Sequence, residues 1–541
     1  VIPVALLWLR ALGLAAQCAV LGGVVFGQVL LRPWAAREPG VWATARRHIR
    51  VIQAAAGVVA LAEALVLAVE ATELADGGPW PLALMLAAPV YRTAVARILV
   101  AAAAAALGSW LARAPASAPR WAVEAALGLG LAVTGAGLSH AVARLTGGVW
   151  LVALDALHQA AAGVWLGGVL HVLILVTWWP ASARVLPTVR GFAAIAFSGV
   201  AVLAFTGVTL ASIYVHSVAA AVGTSYGAMV LTKVALFAGL LALGGLNFLT
   251  ARRATPASGP VSETPMAAPA GGAPLRLRRF VEAEVGLGLT VLFVAAALSG
   301  TPLGVDVTTD RATRADIATI FTPRWPRLHA PALAELVAAS PLTDATAPRT
   351  AEDTAWSEFG HNVAGLFVLA MGVCAGLERT GRARWARHWP LLFVGLSGFL
   401  MWNMDPEGWQ TGLVGFWQHL ADPEVLQHRI FLLLTALFGV FEWSVRRRGA
   451  AAGRRPWAYF FPLACMLSGT LLLAHTHVVN NAKEAFLMEL SHLPLGLLSL
   501  VAGWARWLEL RLPAPDNRWP GRLWAPALAV FGLLLILYRE G

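Results

Sequence analysis

Imidazole, thioether and carboxylate side chains gather in LLLAHTHVVNNAKEAFLMELSH, residues 471–492. His475 and His477 close one apolar segment. After a short polar turn, Glu484, Met488 and His492 open the next at i, i+4 and i+8, which puts them on one helix face. Imidazole and thioether beside a carboxylate is a donor set that suits copper, or a haem iron with two axial ligands. Further donors of the same kinds stand in neighbouring apolar segments: His361, Met401 and Met404 (i and i+3), and His428. An ionisable group in a membrane helix is costly unless paired, so such a set points to function. Any one of these histidines alone is equally well read as a helix-end hydrogen bonder, and a lone methionine as packing.

The elements that must carry these residues follow from composition. The chain has 541 residues, 58% hydrophobic and 13% charged, too apolar to be buried in a soluble core. The expected fold is an all-α polytopic membrane helix bundle. About fourteen stretches of roughly 20 apolar residues are long enough to span a bilayer. They begin near residues 3, 49, 93, 119, 150, 191, 227, 280, 356, 387, 427, 457, 484 and 522, the tenth being short and the third interrupted by Arg92 and Arg97. The net charge of +11 is carried by arginine clusters at 32–50, 252–279, 379–387 and 446–455. These fall on alternate loops, the positive-inside pattern, which places both termini outside and argues against a nucleic-acid partner. On that map most histidines lie at the outer ends of spans. The first segment is expected to be a retained span, not a cleaved signal. Cys18, Cys374 and Cys465 lie inside expected spans without a CxxC pair, so neither a disulfide framework nor a zinc site is indicated.

The expected organisation is an eight-helix half over 1–301, an external cap over 302–353 and a six-helix half over 354–541 carrying the outer His/Met set. In the first half, LDALHQAAAGVWLGG sets Asp155 and His158 three apart on one face, so Asp155 is placed to orient the imidazole. Lys233 and Glu284 are further charges within spans, expected at different depths and therefore not as a direct pair.

Three stretches, HQAAAGVWLGG (158–168), GTSYGAMVLTKVALFAGLLALGGLNFLTARR (223–253) and LRRFVEAEVGLGLTVLFVAAALSGTPL (277–303), resemble the bacterial copper resistance protein D family, over roughly 150–305. The chain as a whole resembles the longer members with extra C-terminal helices. The resemblance implies a multi-pass protein of the bacterial inner membrane that passes copper, Cu(I) or Cu(II), from periplasm toward cytoplasm, supplied by a periplasmic copper carrier. The residues carried over are His158, Trp165, Gly167, Gly168, Tyr226, Gly227, Lys233, Asn247 and Glu284. Some relatives fuse a soluble copper-binding domain that these residues do not include, so the carrier is expected to be a separate protein.

Two other functions fit the same residues. A b-type membrane cytochrome could ligate haem b through pairs such as His361 with His428 or His475 with His492. An assembly subunit of a larger membrane complex could dock through the aromatic loop 402–418. The sequence contains no G-x-x-x-x-G-K-[ST] loop, which argues against transport driven by ATP bound to this chain. The leading expectation is a transporter and not an enzyme.

Overall fold

The computed structural model describes residues 2–143, 148–179, 184–254, 273–332, 350–404, 415–420, 423–448, 456–474 and 482–540. Their regular elements are all helices, without strands. The helices used below are α1 (Ile2–Phe26), α2 (Trp42–Ala75), α3 (Pro89–Arg113), α4 (Ala118–Ala136), α5 (Gly148–Ala162), α6 (Gly168–Trp178), α7 (Val185–Tyr214), α8 (Ser225–Arg253) and α9 (Ala273–Leu298). They continue with α10 (Arg314–Phe321), α11 (Ala351–Arg379), α12 (Leu392–Asn403), α13 (Pro423–Arg447), α14 (Phe460–Leu473), α15 (Ala482–Arg511) and α16 (Trp524–Ile536).

Twelve helices among the described residues are long and apolar enough to cross a membrane, and the protein is a polytopic α-helical membrane bundle. Two of the expected fourteen segments fall short, for local reasons. Helix α4 carries Arg120 and Glu124 within its 19 residues. Helix α12 has only 12 residues and is entered through a 3-10 turn, Arg384–Leu391, whose Pro390 cannot donate to an α-helical ladder. The apolar side chains that face away from the protein, such as Leu99, Phe205 and Val208, are those a bilayer would cover.

The chain divides into two compact units, Val1–Ser217 with Met229–Val305, and Val218–Ala228 with Asp306–Gly541. In the first, a core of small and branched residues (Ala16, Val20, Val24, Ile49, Ile52, Ala56, Ala101, Ala104) lets α1, α2 and α3 pack closely. The closest approach is between α1 and the π-helical turn Gly163–Gly167 that joins α5 to α6. A Cβ on Gly167 would lie 1.7 Å from the Cys18 carbonyl oxygen, so the second half of the WLGG motif is there for backbone-on-backbone packing.

In the second unit, Trp389, Phe461 and Trp524 form the centre of an aromatic core. Arg446 lies 4.6 Å over the Trp389 ring while donating to Glu442 (2.7 Å) and Glu378 (2.8 Å), so the arginine cluster ending α13 is folded onto aromatic faces and carboxylates. Helix α11 starts with a capping box, Thr350 and Asp353 satisfying each other's backbone N–H, and α10 starts in the same way with Thr313 and Asp316.

Candidate functional site

Two clusters in the first unit hold the polar residues singled out from the sequence there. In one, His158 of α5 donates from Nδ1 to Thr206 Oγ1 on α7 at 2.9 Å. The Thr206 hydroxyl has a single hydrogen, which goes to the Val202 carbonyl at 2.8 Å, so the oxygen must accept from the ring. In the neutral ring Nε2 is therefore the nitrogen with the lone pair. Thr206 is fully buried, and the ring orientation is fixed by a neighbouring helix in the way that prepares an imidazole to bind a metal ion.

Asp155 does not orient His158, contrary to the reading from spacing: its Oδ2 accepts from Gln159 Nε2 at 3.0 Å, it also bonds Ser139, and it is attracted to Lys233 of α8. On a helix, three residues share a face, yet the carboxylate reaches the i+4 amide more readily than the i+3 ring. From Gln159 the chain of hydrogen bonds continues to Gln17 of α1 (3.0 Å), from Gln17 to Arg97 of α3 (2.6 Å), and from Arg97 to Glu63 of α2 (3.2 Å) and the Leu131 carbonyl of α4 (2.8 Å). Arg97, read from sequence as an interruption of a span, is the hub of this network and is buried.

The second cluster joins Trp165, Asn247 and Glu284. Asn247 Nδ2 donates to Glu284 Oε2 at 2.6 Å, and the Trp165 indole N–H also bonds Glu284. All three are buried, and they wall a cavity of about 520 Å3 whose remaining surface is largely apolar, including Phe192, Phe197, Leu241 and Phe248. Trp165 belongs to the π-turn, whose extra residue re-aims the side chains that follow α5. Lys233 and Glu284 thus belong to separate clusters.

In the second unit two of the expected ligands come together. His361 of α11 and His492 of α15 have ring centroids 6.0 Å apart. Each donates Nδ1–H to the carbonyl one turn earlier, His361 to Ser357 (2.9 Å) and His492 to Met488 (2.6 Å), which makes Nε2 the basic nitrogen of each neutral ring. Tyr538 stacks on His361 at 4.0 Å and meets His492 edge-on at 5.6 Å, while its hydroxyl bonds Glu540 at 3.2 Å. Glu540 also receives the Ser357 hydroxyl.

The other expected ligands are placed differently. Met488 is buried, and its carbonyl accepts from His492; Glu484 is half-buried one turn before it. The Met401 thioether lies 3.2 Å from Arg429 Nη1, which also donates to the Met401 carbonyl at 2.6 Å. Met404 follows the end of α12, half-buried, and its N–H closes the helix on Leu400. His428 is half-buried beside Arg429 on α13. His475 and His477 lie outside the described residues, as does most of the aromatic loop 402–418. Among the described residues no group of three or more His, Cys, Asp or Glu is placed to hold a metal ion.

Sequence reasoning missed Tyr538, Glu540 and Ser357 in one unit and Thr206, Gln17, Gln159 and Glu63 in the other. Gln17 and Glu63 were visible as polar residues inside apolar runs, the one signal that could have singled them out.

The fold and these intramembrane clusters define a polytopic membrane protein with polar groups held inside its helix bundle. Residues 186–298, which carry Thr206, Lys233, Asn247 and Glu284, match the family model for copper resistance protein D. The copper transport protein CutJ of Bacillus subtilis (strain 168) is 27% identical over 154 residues, 28% of this chain and 25% of CutJ. The chain thus matches about a quarter of the length of that curated relative. No solved structure matches it. Both matches are to copper-related proteins, and the twelve apolar helices imply a lipid bilayer around the chain.

Proposed function

We propose that the protein is a copper permease of the bacterial inner membrane that accepts copper on the periplasmic side, from a separate carrier protein, and passes it toward the cytoplasm. The observation that carries this reading is the orientation of His158 by Thr206 beside a partly buried network of Asp155, Lys233, Gln159, Gln17 and Arg97, of which Thr206 and Lys233 lie in the segment matching copper resistance protein D. A fixed imidazole with a basic Nε2 is a copper donor. Adjacent carboxylate and amide groups supply polar stepping points in a medium that otherwise rejects an ion.

His361 and His492 are the matching pair in the second unit, each held by a carbonyl in the manner of a metal-binding histidine, and Met488, Met401, Met404, His428, His475 and His477 are the further soft or nitrogen donors of that stretch of sequence. Thioether participation would favour Cu(I). The reaction class is transport, with no covalent chemistry required of the chain.

The test is cellular copper content, measured by elemental analysis in cells expressing the parent, His158→Ala or His492→Ala. Inward transport predicts raised copper with the parent and a return to the vector level with His158→Ala. Lowered copper with the parent would reverse the direction, and an unchanged content would remove the permease reading.

A further inference from the structure

A second pair of imidazoles lies in the first unit, with no hydrogen bond to either cluster described above among the described residues. His48 of α2 and His171 of α6 are completely buried, with their Nδ1 atoms 2.7 Å apart. His171 Nε2 is 3.1 Å from the Ala19 carbonyl of α1. A carbonyl only accepts, so Nε2 carries the hydrogen and, in the neutral ring, His171 Nδ1 is the lone-pair nitrogen. His48 must then donate from Nδ1, which leaves its Nε2 bare. That atom is buried and has no hydrogen-bond partner among the described residues. A bare ring nitrogen can take up the hydrogen that Nδ1 now holds. The rings are 5.0 Å apart and Phe26 stacks on His48 at 5.3 Å, so the surroundings are apolar and aromatic.

We propose that His48 and His171 form a two-nitrogen Cu(I) site inside the first unit. The identity of the ion rests on the copper reading above; the site itself rests on the geometry of the pair. A carbonyl-anchored imidazole presenting its other nitrogen is the arrangement of a metal-ligating histidine, and His171 has it. Cu(I) is satisfied by two nitrogens in line, whereas Zn2+ or Cu(II) would seek more donors than this pocket holds.

Binding needs no proton to leave the protein. The hydrogen on His48 Nδ1 moves to its own Nε2, both Nδ1 lone pairs then face the ion, and the single positive charge is that of Cu(I). With bonds of about 2 Å each, the nitrogens must separate to about 4 Å. His171 is anchored by the Ala19 carbonyl 3.1 Å from its Nε2, and its ring packs against the Cα side of Gly23. The movement therefore falls to His48, whose ring is held by one hydrogen bond and by stacking.

The experiment uses the detergent-solubilised full chain, Cu(I) delivered without oxygen from a chromogenic chelator, and copper K-edge absorption, for the parent, His48→Gln, His171→Gln and the exposed-residue control His329→Gln. The expected result is one Cu(I) equivalent lost in each of the first two variants and kept in the control, with a two-coordinate, nitrogen-only component in the parent spectrum. Copper binding by the parent without that component, or retained in full by both histidine variants, would overturn this site and leave the copper reading standing. No copper taken up by the parent would overturn both. Because the parent spectrum alone decides the coordination, a variant that fails to fold does not shield the proposal.

Discussion

Gly167→Ala should separate two helices that now touch backbone to backbone. The added methyl would lie 1.7 Å from the Cys18 carbonyl oxygen and 2.5 Å from its carbonyl carbon. Carbon atoms in ordinary contact sit about 3.5–4.0 Å apart, so α1 must shift by about 1–2 Å or unwind locally. The atom struck is main chain and cannot rotate aside. Overpacking of this kind costs about 1–3 kcal/mol, and a rigid obstacle puts the cost at the upper end, about a hundredfold in the folded-to-unfolded ratio. Gly22→Ala strikes the same interface from the other side, 2.2 Å from the Gly167 carbonyl carbon, so the double variant should cost less than the sum of the singles. Gly57, on α2, has nothing within 4 Å of its would-be Cβ, and Gly57→Ala should raise stability by about 0.5–1 kcal/mol through helix propensity. The assay is unfolding in mixed micelles by a titrated denaturing detergent, followed by circular dichroism. A Gly167→Ala protein as stable as its parent would refute the packing argument.

Thr206→Val keeps the side-chain shape and removes the acceptor of the His158 ring; leaving that N–H unsatisfied should cost about 1–3 kcal/mol and lower copper accumulation, checked by the same unfolding titration and by elemental analysis. Arg97→Leu strands Glu63 and Gln17 in the bundle and should cost about 3–5 kcal/mol, with Arg97→Leu/Glu63→Leu recovering a large part of it; a double variant no better than the single would show the pair is not coupled. Outside the membrane, the Lys483 ammonium, with help from the Thr313 backbone and hydroxyl, lowers the Asp316 carboxyl from 3.8 to about 2. Since the folded value is the lower, this tie between α10 and α15 contributes at pH values above the unfolded carboxylate range, and is lost as pH falls from about 4 to about 2. A carboxyl 13C shift titration of Asp316 should show its midpoint near the lower value, and a midpoint at 3.8 would remove the tie.

Membrane class was legible in the sequence because hydropathy is a local property: twenty apolar residues in a row declare a span whatever lies beside them. The spans that failed, α4 and α12, failed through the charges and the Pro390 written into them. Pairing is not local in this way. His361 and His492 were both candidates by type, but the ring that lies against them, Tyr538, comes from the far end of the chain and looks in sequence like an ordinary interfacial tyrosine. His158 and Asp155 share a helix face by their spacing, yet the partner of His158 is Thr206, one of many threonines in apolar helices. The glycines after Trp165 were read as allowing close helix approach, and the structure supplies the neighbour, α1. Gln17 and Gln159 are 142 residues apart and meet only because α1 packs along α5, which no spacing rule could reveal.

The central claim, that the chain handles copper through oriented histidines inside its helix bundle, is tested most directly by metal analysis and an optical spectrum of the purified protein, for the parent and for His158→Ala combined with His492→Ala. Copper bound in the parent without a Soret band, and reduced in the double variant, is the predicted result. Iron with a reduced b-type spectrum that the double variant loses would contradict it and make these histidines haem ligands.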